Sequence, residues 1–288
     1  MPNSIHLGEQ GALGHEDAID EIVGLDARKS EGTRLTEMQA LAGRRILITG
    51  AGAGIGAITA KALVVAGARV AIFDLDGNAA RATAEALGAE HAIWRQGDVT
   101  DEAAVQGMLE AIEAAWGGID DLVNNAGTYD HDPLLDLTMA RWRRVLDVNL
   151  MAPIAISRAV VPRMGAGGSI VNVSSVLGQV AAPGRGPYCV SKSALISLTK
   201  MQAIEWAPRN IRVNAIAPGY IENEATRRFA AAGGFDAGAV RRRTPLGRLG
   251  SEDEVAAGIC FLLDPARAAY ITGHVLEVSG GWTAYGYV

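Results

Sequence analysis

From Arg44 onward, short runs of β-branched and other apolar residues alternate with longer segments of helical periodicity. Parallel strands need a crossover of about a dozen residues or more, usually a helix, so this alternation is typical of βαβ units. Six runs are candidate strands: residues 46–48, 70–73, 122–123, 170–173, 211–216 and 275–278. Six strands are enough for a doubly wound parallel sheet flanked by helices.

The segments between these runs are long enough to be crossover helices, at residues 57–66, 79–87, 102–115, 139–164 and 188–206. We therefore predict a single α/β domain of Rossmann type over residues 44–288. Residues 1–43 are polar and precede the pattern, so we predict an N-terminal arm, either a partly disordered tail or a segment that packs on a neighbouring subunit. Residues 220–250 are irregular and rich in arginine, and we predict that they form a lid.

Charge and cysteine content exclude several classes of protein. Lys and Arg total 26 against 32 Asp and Glu, which argues against nucleic-acid binding. The two cysteines lack metal-ligand spacing and are too few for a disulfide framework. The most apolar stretch, residues 57–73, is interrupted by Lys61 and Arg69, so we predict no membrane span. The acidic N-terminus does not resemble a secretory or transit signal, and we expect a cytoplasmic protein.

A glycine-rich turn joins the first candidate strand to the first candidate helix. Gly50, Gly52, Gly54 and Gly56 stand at alternate positions immediately after the strand. Glycines there let the backbone approach a pyrophosphate, while the helix N-terminus offers free N–H groups and a partial positive charge. A plain tight turn is the alternative, but the strand before and the helix after favour a dinucleotide site.

An acidic residue follows at the spacing that a ribose-binding carboxylate requires. Asp74 ends the second candidate strand, 24 residues after Gly50. A carboxylate there repels a 2′-phosphate, and neither Ala53 nor Leu75 supplies a cation that would attract one, so the sequence favours NAD over NADP. Alternatively Asp74 is only a turn residue, and Asp76 is merely a helix cap.

Tyr188 and Lys192 are four residues apart, just after Pro187, and so fall on one face of a predicted helix. A phenol with a pKa of about 10 is a poor base at neutral pH, and lowering it by about 3 units requires roughly 4 kcal/mol. An ammonium group about 4 to 5 Å away supplies that order at an effective dielectric constant of about 20. Taken alone, a Tyr-x-x-x-Lys pair occurs often by chance, and a plain surface pair would be the better interpretation.

Several motifs occur together in a fixed order. They are the glycine turn, Asn124-Asn125-Ala126-Gly127, Asn149, Ser174-Ser175, Tyr188-x-x-x-Lys192 and Pro218-Gly219. In order and spacing they resemble the short-chain dehydrogenase/reductase family over residues 43–282.

The resemblance implies a catalytic tetrad of Asn149, Ser175, Tyr188 and Lys192. Ser175 lies thirteen residues before the tyrosine, as in the family, and would hydrogen-bond the substrate oxygen. Ser174 would then support it. Tyr188 would be the general acid/base, and Lys192 would both perturb the phenol and bind the nicotinamide ribose.

The resemblance also implies a cofactor site and a homotetramer with residues 282–288 near a subunit interface. The expected NAD-binding residues are Gly50, Gly52, Ala53, Gly54, Ile55, Gly56, Asp74, Leu75, Asp98, Val99, Asn125, Ala126, Gly127, Tyr188, Lys192, Pro218, Gly219, Ile221 and Asn223. The chain departs from the family at Asn223, where threonine is common. An amide still donates a hydrogen bond, although the geometry there is in doubt.

Pro153 lies four residues after Asn149 and has no N–H group, so the Asn149 carbonyl cannot accept its ordinary helical hydrogen bond. In the family this carbonyl holds a water of the proton relay. We hypothesise that Pro153 exposes it, with a simple helix kink as the alternative.

These residues predict interconversion of a secondary alcohol and a ketone by hydride transfer. The alternatives are a 3-oxoacyl thioester reductase, an epimerase or a non-catalytic NAD-binding protein. The substrate stays open. Arginines in the predicted lid, such as Arg227 and Arg228, would attract an anionic substrate or would simply form a solvated face. The expected pocket walls are Thr128, Tyr129, Leu177, Gln179, Val180, Ala181 and Cys189.

Overall fold

The computed structural model describes residues 40–285, apart from the side chain of Ala225. These residues form a seven-stranded sheet in the order β3-β2-β1-β4-β5-β6-β7, with every neighbouring pair parallel. The strands are β1 (Arg45–Thr49), β2 (Arg69–Asp74), β3 (Ala92–Gln96), β4 (Ile119–Asn124), β5 (Met164–Val173), β6 (Ile211–Pro218) and β7 (Val275–Val278). The predicted doubly wound parallel sheet is confirmed.

Helices connect the strands. They are α1 (Gly54–Val65), α2 (Gly77–Leu87), α3 (Glu102–Trp116), α4 (Met139–Leu146), a π-helix (Asp147–Met151), α5 (Ala152–Val160), α6 (Gly186–Trp206), α7 (Glu224–Ala231), α8 (Ala237–Arg243) and α9 (Glu252–Leu263). Short 3-10 turns cover Val161–Arg163, Val176–Gly178 and Ala207–Arg209.

The sheet separates two hydrophobic layers. Successive side chains of a strand point to opposite faces, so Ile46 and Ile48 pack with α1 and α9, whereas Leu47 packs with α3 and α5. Both faces of the central strands are therefore covered, which explains why these strands read as continuous apolar runs.

The sequence missed β3 and misjudged β5. β3 lies at the sheet edge and ends in the polar residues Arg95 and Gln96, so it lacks the apolar run of a central strand. β5 begins at Met164 rather than Ile170 and passes through Gly165, Gly167 and Gly168 before its apolar half. The predicted helix over residues 139–164 consequently ends before Met164.

The helical stretch Met139–Arg163 meets the length and composition expected of a membrane span. In this fold, however, Ile156, Val160 and Val161 are buried in the layer that covers the sheet, so the stretch is accounted for as a core helix. The sequence analysis predicted no membrane span in residues 57–73. Among the described residues, the apolar helix in this stretch is α1, which is shorter than the roughly 20 residues that a membrane span needs.

Residues at two predicted boundaries belong to the folded unit. Leu41, in the predicted arm, is buried in the core, and its N–H group donates to the Ala66 carbonyl. Residues 1–39 of the predicted arm lie outside the described residues, as do residues 286–288. The lid segment was predicted to be irregular, but it contains two helices, α7 and α8.

An ion pair is buried beneath the sheet. Asp121 on β4 is fully buried, and the Arg44 guanidinium binds both of its carboxylate oxygens. The backbone N–H group of Ser169 on β5 also donates to Asp121, at 2.8 Å. Because the carboxylate is held from two sides, it fixes β4 against its neighbour β5 and against the start of β1.

The strand order reverses between β1 and β4. Strands β2 and β3 extend the sheet on one side of this point, and β5 to β7 extend it on the other. Ligands of open α/β sheets bind beyond the carboxyl ends of the strands at such a switch point. The glycine turn follows β1, Asn125 follows β4, Ser174 follows β5 and Gly219 follows β6. The fold therefore brings all four motifs to one edge.

Candidate active site

A cavity of about 280 Å³ opens at this edge of the sheet. It brings together ten of the predicted site residues: Ile55, Asn125, Gly127, Ser175, Tyr188, Lys192, Pro218, Gly219, Ile221 and Asn223. Most of the remaining predicted residues lie in the glycine turn, at Asp74 and Leu75, at Ala126 or at Asn149, whereas Asp98 and Val99 are separate from the cavity.

Tyr188, Ser175 and Lys192 form the polar centre of the cavity. Tyr188 stands in the first turn of α6, and Ser175 at the end of β5 hydrogen-bonds its hydroxyl group. The Lys192 ammonium lies 5.7 Å from the centroid of the Tyr188 ring. The i, i+4 arrangement on one helical face is as predicted.

Opposing effects act on the pKa of Tyr188. Burial raises this pKa and outweighs the lowering effects of the Ser175 hydrogen bond and the Arg185 charge. The Lys192 ammonium donates to the Val173 carbonyl at 2.7 Å, and burial lowers the pKa of Lys192 to about 8. That Lys192 lowers the pKa of the phenol stays a prediction.

Ser174 and Ser175 have different partners. The Ser174 hydroxyl donates to the Lys192 carbonyl at 3.0 Å and so ties β5 to α6. The Ser175 hydroxyl faces the cavity and accepts a hydrogen bond from the Leu177 N–H group at 3.1 Å. Both serines line the cavity, but the Ser174 hydroxyl is bonded to the backbone of α6. That Ser175 hydrogen-bonds the substrate oxygen stays a prediction.

Asn149 acts on the backbone rather than on Tyr188. Its amide oxygen accepts from the Thr128 N–H group at 2.8 Å, and its amide nitrogen donates to the Thr128 carbonyl at 2.8 Å. The same nitrogen donates to Ser191 at 3.0 Å, and Ser191 in turn donates to the Tyr188 carbonyl at 2.8 Å. The sequence did not identify Thr128 or Ser191 as the groups that this side chain connects.

The helix around Asn149 is locally widened. Residues Asp147–Met151 form a π-helix, in which the Ala152 N–H group donates to the Asp147 carbonyl. Pro153 follows directly and offers no N–H group to the carbonyls of Val148 or Asn149. A π-bulge, rather than a simple kink, thus accompanies the proline. That the Asn149 carbonyl binds a water stays a prediction.

The glycine turn is closely packed and its helix end is open. The Asn125 amide donates to the Gly50 carbonyl at 2.7 Å, and a Cβ atom at Gly56 would lie 2.2 Å from that carbonyl oxygen. Gly54 begins α1 with a positive φ of 61°. The preceding residue, Ala53, has no side chain to cap the helix, and the first turn holds no acidic residue. The N–H groups there are free for an anion.

Asp74 faces the turn. One carboxylate oxygen accepts from the Gly52 N–H group at 2.8 Å and the other from the Asp76 N–H group at 2.9 Å. Asp76 caps α2, as its alternative interpretation predicted, and Leu75 is exposed between them. The carboxylate therefore lies beside the glycine turn, where an adenosine ribose is expected.

The two residues expected to flank the adenine are separate from the cavity. Asp98 closes a turn by accepting from the Thr100 N–H group at 2.8 Å. Val99 packs in the core beside α3 and lines a second cavity, between α3 and α5.

The segment after β6 covers the cavity from the other side. The Gly219 N–H group donates to the Val278 carbonyl at 2.9 Å, and Ile221 is buried. Asn223 caps α7, because its amide oxygen accepts from the Thr226 N–H group at 2.8 Å. The amide nitrogen of Asn223 stays available to donate to a cofactor, as the departure from threonine requires.

Four predicted pocket walls are misplaced. Thr128, Tyr129 and Leu177 line the cavity, but Gln179, Val180, Ala181 and Cys189 do not. Residues 179–181 are exposed because the chain leaves the cavity after the 3-10 turn that follows β5. Aromatic residues of the lid take their place, namely Tyr220, Phe229 and Phe235.

Arg227 and Arg228 of the lid lie on the surface. Arg228 pairs with Glu224 and Arg227 pairs with Glu222 at 3.9 Å, and neither arginine lines the cavity. Their interpretation as a solvated face fits this arrangement. Arg243 is half-buried and stacks over the Trp282 ring, 4.3 Å from its centroid. The cavity instead contains Arg185, which the sequence analysis missed. Only its position three residues before Tyr188 signals it.

Comparisons with known proteins agree with this geometry. The family described as enoyl-(acyl carrier protein) reductase matches residues 50–283. The chain is 39% identical to a cis-4-hydroxycyclohexanecarboxylate dehydrogenase of Sinomonas cyclohexanicum, over 85% of this chain and 99% of that protein. It is 36% identical to a 3-oxoacyl-[acyl-carrier-protein] reductase of Escherichia coli, over 83% and 97%. A crystal structure of a short-chain type dehydrogenase/reductase from Mycobacterium marinum superposes with a TM-score of 0.80 and 33% identity, covering 86% of this chain and 98% of that one.

Proposed function

Because the chain belongs to the short-chain dehydrogenase/reductase family, we propose that it is an NAD(H)-dependent oxidoreductase interconverting a secondary alcohol and a ketone. Dehydrogenases among its relatives act on CH–OH groups, and enzymes of this kind use a nicotinamide cofactor. The observation that carries the proposal is the shared cavity of Ser175, Tyr188 and Lys192 at the edge that also holds the glycine turn.

The residues of this edge fit a dinucleotide. The uncapped N-terminus of α1 suits a pyrophosphate, and a side chain at Gly56 would clash with the Gly50 carbonyl that shapes the turn. Asn125 fixes the same carbonyl. Lys192 donates one N–H group to the Val173 carbonyl and has two further N–H groups for the nicotinamide ribose. The nicotinamide, when bound, supplies the hydride acceptor or donor.

Asp74 supports NAD in preference to NADP. Its two carboxylate oxygens accept hydrogen bonds from Gly52 and Asp76, so the charge is held beside the turn and not directed into solvent. A ribose diol would donate to this carboxylate, whereas a 2′-phosphate would be repelled by it.

The chain's own residues account for the proton. In the oxidation direction the Tyr188 phenolate accepts the hydroxyl proton of the alcohol, while Ser175 donates a hydrogen bond to the oxygen that becomes the carbonyl. Burial favours the neutral phenol, and the hydrogen bond from Ser175 acts in the opposite direction. Reduction runs through the same groups in reverse, with the Tyr188 phenol donating the proton.

Asn149 serves this arrangement as a positioning residue. By holding both backbone groups of Thr128 and, through Ser191, the Tyr188 carbonyl, it fixes the wall of the cavity against the start of α6. We also propose that its own carbonyl, which Pro153 leaves without a helical donor, binds the first water of the proton relay.

A 3-oxoacyl thioester reductase is the second candidate, favoured by the similarity to the Escherichia coli reductase. A thioester substrate carries a long pantetheine arm, so it would extend out of a cavity of about 280 Å³. Acetoacetyl thioesters of N-acetylcysteamine therefore belong in the substrate panel beside simple ketones.

The testing experiment follows absorbance at 340 nm with NAD or NADP and a panel of secondary alcohols, and with NADH and matching ketones or thioesters. We expect turnover with NAD that is lost in Tyr188→Phe. Tight NADH binding without turnover on any member of the panel would favour an epimerase or a non-catalytic NAD-binding protein. A cytoplasmic location and a homotetramer are further proposals, and light scattering after gel filtration tests the second.

A further inference from the structure

Arg185 lies at the mouth of the active-site cavity. It immediately precedes α6 and lines the cavity together with Tyr188 and Ser175. Its guanidinium stacks over the Phe229 ring, 4.2 Å from the centroid, and lies 5.3 Å from the centroid of Tyr129. Two aromatic rings thus hold the side chain in one place without neutralising its charge.

The charge of Arg185 is not balanced by an acid. Among the described residues, Arg185 and Lys192 are the charged side chains that line the cavity, and no Asp or Glu joins them. No carboxylate of the described residues lies within 4.0 Å of the Arg185 guanidinium. Lys192, by contrast, is committed to the Val173 carbonyl.

Two other arginines of this chain form ordinary ion pairs with acidic residues. Arg141 binds Asp130 and Asp132, and Arg228 on the lid pairs with Glu224 four residues before it. Neither lines the cavity. Arg185 differs from them because it lines the same cavity as Tyr188, and no acidic residue of the described chain lines that cavity.

We propose that Arg185 binds a carboxylate of the substrate, so that the enzyme acts on a secondary alcohol or ketone that also carries a carboxylate group. This inference rests on the proposed oxidoreductase function and narrows its substrate class. A planar guanidinium matches a carboxylate in a bidentate pair, which fixes orientation as well as adding affinity. With the hydroxyl at Tyr188 and Ser175, the carboxylate at Arg185 sets which face of the carbinol carbon is presented.

The rest of the cavity limits the carbon skeleton. Tyr129, Phe229, Tyr220 and Phe235 form an aromatic wall between the lid and the start of α6. Arg185 directly precedes α6 and Tyr188 lies in its first turn, so both side chains enter the cavity from the same end of the helix. A substrate in which a short chain or a single ring joins the hydroxyl and the carboxylate fits a cavity of about 280 Å³.

Matched substrates separate this role from a purely structural stacking role. The pairs are 4-hydroxycyclohexanecarboxylate with its carboxamide, and 3-hydroxybutyrate with its amide. Arg185→Gln removes the charge, and Arg185→Lys keeps the charge without the planar fork. Arg228→Gln is the control, because that arginine is exposed, paired and outside the cavity.

In Arg185→Gln we expect kcat/KM for the acid to fall about tenfold to a hundredfold further than kcat/KM for the amide, mainly through KM, because any effect of the Arg185 charge on Tyr188 acts on both substrates equally. Arg185→Lys should recover part of the loss, and Arg228→Gln should match the wild type for both. Equal losses for acid and amide, or no loss for either, would overturn the assignment.

A binding measurement keeps this test independent of turnover. Calorimetric titration with cyclohexanecarboxylate should show binding to the NADH complex that the carboxamide lacks and that Arg185→Gln loses. Binding without hydride transfer on any substrate would refute the proposed function but leave the carboxylate site standing. Turnover of neutral alcohols with no preference for acids would support the proposed oxidoreductase function and refute the carboxylate site at Arg185.

Discussion

Replacing Asp74 by asparagine should relax the proposed preference for NAD over NADP. The carboxylate accepts from Gly52 at 2.8 Å and from Asp76 at 2.9 Å, so its charge lies where a 2′-phosphate would approach. Two charges about 4 Å apart interact by about 4 kcal/mol at an effective dielectric constant of about 20, an upper bound for this partly exposed site. Asparagine removes that repulsion and keeps one carbonyl oxygen for Gly52.

We therefore expect affinity for NADPH to rise by about one to two orders of magnitude, while affinity for NADH falls by less. Fluorescence titration of the bound nicotinamide measures both affinities and needs no substrate. Asp76→Asn is the matched control, since asparagine and aspartate cap helices about equally well and Asp76 only caps α2. An unchanged ratio of NADPH to NADH affinity in Asp74→Asn would refute the role given to this carboxylate.

Three further predictions concern the pKa of Tyr188, the hydrogen bonds of Asn149 and the ion pair of Arg44 with Asp121. Burial raises the pKa of Tyr188, so kcat/KM for oxidation should rise with pH up to that pKa. Ser175→Ala removes a hydrogen bond that lowers this pKa, so the midpoint of the pH profile should move to still higher pH. A shift of the midpoint to lower pH would contradict this. Asn149→Ala should lower kcat and cost about 1 to 3 kcal/mol of unfolding free energy in urea, since it leaves backbone groups without partners; an unchanged kcat would refute the positioning role. Arg44→Met should cost about 3 to 5 kcal/mol in the same assay because it strands a buried Asp121 charge, and Arg44→Met combined with Asp121→Leu should recover most of this; no recovery would contradict the pairing argument.

The central sheet was predictable because its strands are buried on both faces. The apolar runs at Ile46–Ile48 and Ile170–Val173 have no other environment that satisfies them, and their spacing requires helical crossovers. The sequence analysis missed β3 because an edge strand has one unpaired side and tolerates polar residues such as Arg95 and Gln96. Sequence periodicity therefore identifies central strands more readily than edges.

The convergence of the site was predictable for the same reason. Motifs that follow parallel strands must meet at the carboxyl edge of the sheet, so Ser175 and Asn125 could be assigned to one cavity in advance. Contacts that depend on side-chain rotamers could not be predicted from the sequence. Lys192 turns to the Val173 carbonyl, and Arg185 stacks on Phe229 of the distant lid, neither of which any spacing in the sequence specifies.

Transfer of an isotopic label tests the central claim most directly. A secondary alcohol that carries deuterium on its carbinol carbon is incubated with NAD and the enzyme, and the mass of the NADH formed is measured. The account predicts that the deuterium appears in NADH with the wild type and that no NADH forms with Tyr188→Phe. NADH without the label, or labelled NADH formed at the wild-type rate by Tyr188→Phe, would contradict hydride transfer coupled to a proton held by Tyr188.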